Sequence, residues 1–275
     1  MTQTVAARRL DPTDGTAVAR ALDADPVQNV YLRSEVRLGS LRTGAWWGLG
    51  DDDDGGLRSV MAGGALVVPW LAASHDAPAL AAVLDHQRRP QLMTGPRDHV
   101  IALQQARQPA PPTREVRDPQ PLMVLRRGAL TGDGDSHIRR GEPRDLDRLT
   151  LASGAMHREE MGVDPLSIDP SGWRFRMATL IDRGWSFVWT EGGEVLFKAE
   201  LSAWTPDVCQ VQGVYTAPGR RGQGVGRAGM AAVCRTLLRE VPAVSLYVNH
   251  FNAPAVRLYS GLGFEHVADF ATLFY

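Results

Sequence analysis

One segment carries most of the chemical information in this chain, Val211-Gln-Gly-Val-Tyr-Thr-Ala-Pro-Gly-Arg-Arg-Gly-Gln-Gly-Val-Gly-Arg227. A strand-like run ends in a Pro218-Gly219 turn, and glycines then recur at 222, 224 and 226 before a helical pattern begins. At a helix start the first amides have no intrahelical acceptor and the macrodipole adds positive potential, so the place suits an anion. Without side chains at Gly222, Gly224 and Gly226, a pyrophosphate can come close to the backbone. A literal G-x-G-x-x-G is embedded here as Gly224-Val-Gly-Arg-Ala-Gly229, the dinucleotide fingerprint. In that fold the glycines follow their strand directly. Here Ala217-Pro-Gly-Arg-Arg221 intervenes, and the next strand, ending at Val248, is followed by Asn249 rather than a ribose-binding carboxylate. No G-x-x-x-x-G-K-[ST] occurs, which removes a P-loop.

The segment resembles the signature of the GNAT superfamily of N-acetyltransferases: Arg or Gln, two residues, Gly, one residue, then Gly or Ala. Arg221-Gly-Gln-Gly224-Val-Gly226 fits it. The resemblance continues in Val248-Asn249-His-Phe-Asn252-Ala-Pro-Ala-Val-Arg-Leu-Tyr259-Ser-Gly-Leu-Gly-Phe264, where asparagine precedes a short tyrosine-bearing helix and a Gly-Phe pair. It spans the carboxy-terminal half. The two-domain layout is also similar to actinobacterial GNAT proteins with an amino-terminal domain of unknown function.

The resemblance implies acetyl-CoA as co-substrate, no metal, and direct attack by a primary amine, of a small metabolite or a peptide, on the thioester. Such amines have pKa near about 10, so a proton must leave before attack. By motif position the backbone N–H of Val214 faces the developing oxyanion, and Val214, Tyr215 and Thr216 line the pantetheine arm. The amides of Arg221, Gly222, Gln223, Gly224, Val225, Gly226 and Arg227 take the pyrophosphate, with the side chains of Arg220, Arg221 and Arg227 as further phosphate partners. Asn252 is a second contact to the pantetheine arm, and Tyr259 protonates the departing thiolate. Several family members carry a glutamate on the motif strand where this chain has Gln210. The general base then falls to Glu200, to Glu159 or Glu160, or to a base acting through water. Gln210 equally suits a module that holds acyl-CoA without turnover, and a longer acyl group is a third reading. His157 and His250 lack companions that would make a triad and read as structural or solvent-facing.

Bulk composition agrees with a globular enzyme. The 275 residues fit two domains, 44% apolar content is enough for buried cores, and a formal net charge of -1 argues against a nucleic-acid partner. No apolar run approaches a membrane span, and the first residues lack the apolar stretch of a signal peptide, so a cytoplasmic monomer or homodimer is expected. Lys198 is the only lysine. Cys209 and Cys234 have no metal-ligand spacing and read as small core hydrophobes. Asp51–Asp54 reads as a solvated hairpin tip rather than a cation site, because adjacent carboxylates repel one another.

The elements that must position these groups follow from periodicity. After a Gly/Asp-rich stretch at 128–136 come a short strand His137–Arg140, helices Glu142–Met161 and Ser171–Arg183, and strands Trp185–Thr190, Val195–Ala203 and Val208–Thr216. A helix Gly224–Val241, strand Val244–Val248, helix Ala253–Gly261 and strands Phe264–Ala268 and Phe270–Phe274 follow. Residues 1–128 show the same succession, including a helix Pro78–Arg88 and closing strands at Arg114–Arg117 and Leu122–Arg126, without residue-level similarity or a glycine loop. The expected fold is α/β (α+β): a GNAT domain at 136–275, with a mixed central sheet flanked by helices, and a diverged GNAT-like domain at 1–128 that lacks the cofactor loop.

Overall fold

The computed structural model describes residues 6–50, 56–86, 89–135 and 137–275. The Asp51–Asp54 run lies outside the described residues. The chain gathers into two compact units, Met1–Met123 with Tyr247–Ala253 and His266–Tyr275, and Val124–Leu246 with Pro254–Glu265.

In the first unit β1 (Arg8–Arg9) leads through a short 3-10 turn into α1 (Gly15–Leu22), α2 (Val30–Arg37) and α3 (Ser40–Thr43). An antiparallel meander of β2 (Ala45–Gly50), β3 (Leu57–Gly63) and β4 (Leu66–Trp70) follows. Helix α4 (Ala77–Asp85) then crosses to β5 (Leu92–Pro96), which runs parallel to β4, and α5 (Arg97–Ala106) and β6 (Glu115–Arg126) complete the series. Successive strand residues point to opposite faces, and both faces are covered. Trp46, Val60 and Val68 pack with Val18 and Leu22 of α1, whereas Met61, Val67 and Met93 pack with Leu80 and Leu84 of α4 and Val100 and Leu103 of α5.

The same order recurs later in the chain, with β7 (Arg139–Arg140), α6 (Leu146–Met161), α7 (Pro165–Ile168) and α8 (Pro170–Asp182), then antiparallel β8 (Ser186–Glu191), β9 (Glu194–Trp204) and β10 (Val208–Thr216). Helix α9 (Val225–Glu240) crosses to β11 (Ala243–Tyr247), parallel to β10, and α10 (Ala253–Gly261) and β12 (Glu265–Phe274) close the chain. Gly229 lets α9 lie directly on β9, since a Cβ there would sit 2.6 Å from the Phe197 ring. Among the described residues no helix is long and apolar enough to cross a membrane.

β6 and β12 are single strands where pairs were predicted. Pro119 and Pro121 do not break β6, because proline's fixed φ and the bias it places on the preceding residue are both compatible with extended chain. β12 runs through Asp269, and within the first unit its end pairs antiparallel with β5, from Phe270↔Pro96 to Phe274↔Leu92. Helix α7 was not anticipated; Asp164 caps it by accepting from the Leu166 N–H, with Pro165 in its first turn.

The repeat also reaches individual residues. Arg8-Arg-Leu-Asp-Pro-Thr-Asp14 and Arg139-Arg-Gly-Glu-Pro-Arg-Asp145 open the two units in the same way. Arg8 donates twice to Asp14 (2.6 and 3.1 Å) and Arg139 twice to Asp145 (2.6 and 2.8 Å). Each aspartate also accepts the backbone N–H three residues before it, at 2.9 Å from Asp11 and 2.9 Å from Glu142, closing a capping box. The Asp145 side chain is 1% exposed and the Asp14 side chain 13%. Replacing Asp145 by alanine is expected to cost about 2 kcal/mol in urea unfolding, and Asp14→Ala measurably less. Equal losses would mean that burial does not grade the two clasps.

Candidate active site

The register of β10 against β9 reads Gln212↔Glu200 and resumes at Tyr215↔Lys198, so Gly213 and Val214 oppose the single residue Ala199. Such a bulge takes its residues out of step with the ladder and re-aims the backbone. Gly213 has φ +58°, and a Cβ there would lie 3.1 Å from the Glu200 carboxyl and 3.3 Å from Lys198 Nζ. Only glycine fits both the backbone angle and the space.

Beyond β10 the chain makes a 3-10 turn over Pro218–Arg220 and enters α9 through Gly224. Turn hydrogen bonds run as far as Arg221, whose N–H donates to the Pro218 carbonyl at 3.3 Å, and resume at Ala228, which donates to the Gly224 carbonyl at 3.0 Å. The amides of residues 222–227 lie between them. The Arg221 N–H, expected on the phosphate, is turned into the loop instead. Gly222 and Gly224 have φ +74° and +82°, and a Cβ at either would meet open space. At Gly226 a Cβ would press within 3.0 Å of Thr216 Oγ1, which brings the helix start against the end of β10.

The arginine side chains of this loop are engaged with protein. Arg220 pairs with Glu191 at 2.8 Å, and Arg227 donates to the Gly261 carbonyl at 2.7 Å. Arg221 clasps Glu159 through two bonds of 2.6 and 2.7 Å and donates to the Thr216 carbonyl at 3.1 Å. The hydrogen bond from Arg221 holds the Glu159 carboxyl below its ordinary pKa. Glu159 therefore ties the end of α6 to the loop, and it is a poor proton acceptor.

On α10, Tyr259 is 7% exposed, and its ring tilts against Phe264 at 5.7 Å. Burial raises the phenol's pKa, with Cys234 and the charge of Glu160 adding to the effect, so it stays protonated through neutral pH. Asn252 falls in the 247–253 segment of the first unit, where its N–H donates to the Asn249 carbonyl at 2.9 Å. Gln210 is buried. Its Oε1 accepts from Ser202 Oγ at 3.0 Å, and its Nε2 has no protein partner. Both cysteines are buried and free, and burial pushes the Cys209 thiol up to about 12. Among the described residues no three His, Cys, Asp or Glu side chains converge as for a metal.

Beneath the bulge lies a charged cluster. Lys198 is fully buried and donates to Glu200 Oε1 at 2.6 Å and to the Gly213 carbonyl at 3.0 Å. Glu200, 1% exposed, also accepts from Arg176 at 3.1 Å and Ser153 at 3.4 Å. Desolvation alone would raise the Glu200 pKa, but the charges and hydrogen bonds of Lys198 and Arg176 outweigh it, and the carboxyl titrates below its ordinary value. The Arg176 guanidinium sits over the Trp173 ring at 5.3 Å, and His157 lies 5.0 Å from that ring. Trp173 Nε1 is buried without a protein partner.

Residues 158–264 match the model of the Acetyltransferase (GNAT) family, and residues 44–149 match that of a domain of unknown function, DUF4081. The carboxy-terminal half carries a GNAT acetyltransferase domain. A mycothiol acetyltransferase of Nocardioides sp. is 29% identical over 233 residues, covering 78% of this chain and 71% of the relative. A mycothiol acetyltransferase of Kineococcus radiotolerans is 47% identical over 51 residues, 18% of this chain and 17% of its own. Among solved structures, a GNAT-family acetyltransferase from Colwellia psychrerythraea superposes with a TM-score of 0.64 at 11% identity, covering 98% of this chain and 99% of its own. A tandem GNAT protein from the clavulanic acid biosynthesis pathway gives 0.58 at 13% identity over 98% of both chains. Both likenesses span the whole chain, so the amino-terminal half shares the fold of the GNAT domain. It lacks the glycine loop: between β4 and α4 stands Leu71-Ala-Ala-Ser-His-Asp76.

Within the GNAT domain, the structure brings Val214, Tyr215 and Thr216 into one strand that runs into the loop at 222–227. Sequence reading passed over Lys198, Arg176, Ser153 and Trp173. The available signal was Lys198-Ala-Glu200, two charges two residues apart and hence on one face of an otherwise apolar strand. The fold buries Lys198. Glu200→Gln would leave that cation without its counter-charge and is expected to cost about 3–5 kcal/mol in thermal or urea unfolding. Acid removes the same interaction. The folded pKa lies below the ordinary 4.5, so the contribution is complete above that pH and disappears as pH falls through the folded value. Below pH 4.5 the unmodified protein should lose stability more steeply than the glutamine variant.

Proposed function

We propose that the protein transfers the acetyl group of acetyl-CoA to a primary amine of a small metabolite or peptide. The observation that carries this reading is one continuous strand–loop–helix. It presents a two-residue bulge at Gly213–Val214, and then a loop with glycines at 222, 224 and 226 at the start of the 16-residue helix α9. In this reading the pyrophosphate rests on the amides of 222–227, and the pantetheine arm runs back along Thr216 and Tyr215. The thioester oxygen meets the Val214 N–H.

The amine nitrogen attacks the thioester carbon, and the carbonyl electron pair moves onto oxygen, where the Val214 N–H donates to it. Collapse of the intermediate breaks the C–S bond, and the thiolate takes the Tyr259 phenol proton. The proton lost by the amine passes to water or to Glu160, whose charge is felt at Tyr259. Glu200 has both oxygens engaged and a lowered pKa, which makes it the weaker candidate base. Likeness to mycothiol acetyltransferases makes an amine-bearing precursor of mycothiol one of the first acceptors to screen.

Acetyl-CoA should raise the melting temperature where NAD and ATP do not, and an amine screen for thiol release then identifies the acceptor. Gly224→Arg forces a side chain onto a φ of +82° at the mouth of the loop and is expected to abolish the acetyl-CoA shift. Tyr259→Phe should keep acetyl-CoA affinity while turnover falls by about 10²-fold or more. A stabilising effect of NAD alone would transfer the glycines to the dinucleotide reading, and unchanged turnover in Tyr259→Phe would remove the acid.

A further inference from the structure

We infer that Lys198 is a positioning residue for acetyl transfer, holding and polarising from behind the peptide group whose N–H faces the thioester oxygen. This rests on the reading of Val214 given above. The Gly213 carbonyl and the Val214 N–H belong to one peptide unit. That bond is trans, so the two groups point in opposite directions across a rigid plane. Lys198 Nζ lies 3.0 Å from the Gly213 oxygen. Fixing that oxygen fixes the direction in which the Val214 N–H points.

The peptide needs fixing. Gly213 and Val214 have no partners of their own in the β9–β10 register, and glycine is the residue whose backbone rotates most freely. Ladder hydrogen bonds that would hold the plane of an ordinary strand peptide are out of step at this point. A donor that must meet an oxyanion within a few tenths of an ångström therefore requires an external anchor.

The anchor is also electrostatic. A cation on the carbonyl side draws electron density from the amide and makes its N–H a stronger donor, and burial keeps water from screening the effect. Glu200 answers the charge of Lys198 at 2.6 Å, and Arg176 and Ser153 hold the carboxylate in turn. The space is built for this arrangement, because a Cβ on residue 213 would run into both Glu200 and Lys198. All of these groups lie within the second unit.

The test compares the unmodified protein with the double variant Lys198→Met, Glu200→Met, which removes both charges and leaves no buried ion unpaired. Acetyl-CoA labelled with ¹³C at the thioester carbonyl is bound to each, affinity is measured by calorimetry, and the carbonyl stretch by difference infrared spectroscopy. In the unmodified protein the stretch should fall relative to free acetyl-CoA. In the double variant the affinity should stay within about threefold and the stretch should return towards its free value. Single-turnover thiol release should slow by about tenfold or more. Equal affinity with an unchanged stretch would overturn the role of Lys198 and leave the proposed function standing. No binding of acetyl-CoA by the unmodified protein would overturn both. Should the apolar pair not fold, Lys198→Gln with Glu200→Gln removes the same charges and keeps polar groups; a stretch identical to that of the unmodified protein would again overturn the role.

Discussion

A cation inside a β-sheet has to be answered within hydrogen-bond reach, and Lys198 dictates its surroundings accordingly. The carboxylate of Glu200, on the same strand face, neutralises it; Arg176 and Ser153 satisfy the rest of that carboxylate. The remaining acceptor for the ammonium is the Gly213 carbonyl, which is available because β10 bulges there. The bulge in turn admits only glycine, since the Lys198–Glu200 pair fills the space a Cβ would take. Residue choice on β9 and backbone shape on β10 are thus two sides of one constraint. Neither would be stable without the other: a buried ion left unpaired costs several kcal/mol, and a bulge without an anchor lets its peptide turn.

The site that results is made chiefly of backbone. In the proposed reading its donors are the Val214 N–H and the amides of residues 222–227; the arginines that flank the loop are turned onto Glu191, Glu159 and the Gly261 carbonyl. The Arg221–Glu159 clasp shows the logic. A guanidinium beside a glycine-rich helix start looks like a phosphate ligand, yet here it fixes the loop to α6. Fixed amides with no side chain in the way give a rigid, preorganised set of donors, which a long mobile side chain gives less well.

What was legible in the sequence divides along the same line. Glycine spacing at 222, 224 and 226 states a local requirement beside a helix start, left-handed backbone in open space at the first two and a close approach at the third, and local requirements survive in sequence order. Strand and helix succession was equally readable, because apolar periodicity records which faces are covered. The cluster under the bulge was not, since it depends on the register that sets Glu200 opposite Gln212 and Lys198 opposite Tyr215. A shift of one residue would turn Lys198 to the other face of the sheet. The unity of β6 and β12 was hidden for a related reason: Pro119, Pro121 and Asp269 look like breaks when local preference is read without the neighbouring strand.

The paired clasps Arg8–Asp14 and Arg139–Asp145 show what the two halves have kept and what they have let go. A capping box locked by an arginine serves only the start of the first helix, so each half needs it to fold whether or not it binds anything. The glycine loop serves a ligand. In the first unit its place is taken by a segment that ends in Asp76, a buried carboxylate held by Arg58 and Ser59. That segment carries no glycine, in contrast to the loop at 222–227. Cores and caps are needed by each half to fold, whereas the bulge at Gly213–Val214 and the glycine loop at 222–226 occur in the GNAT domain.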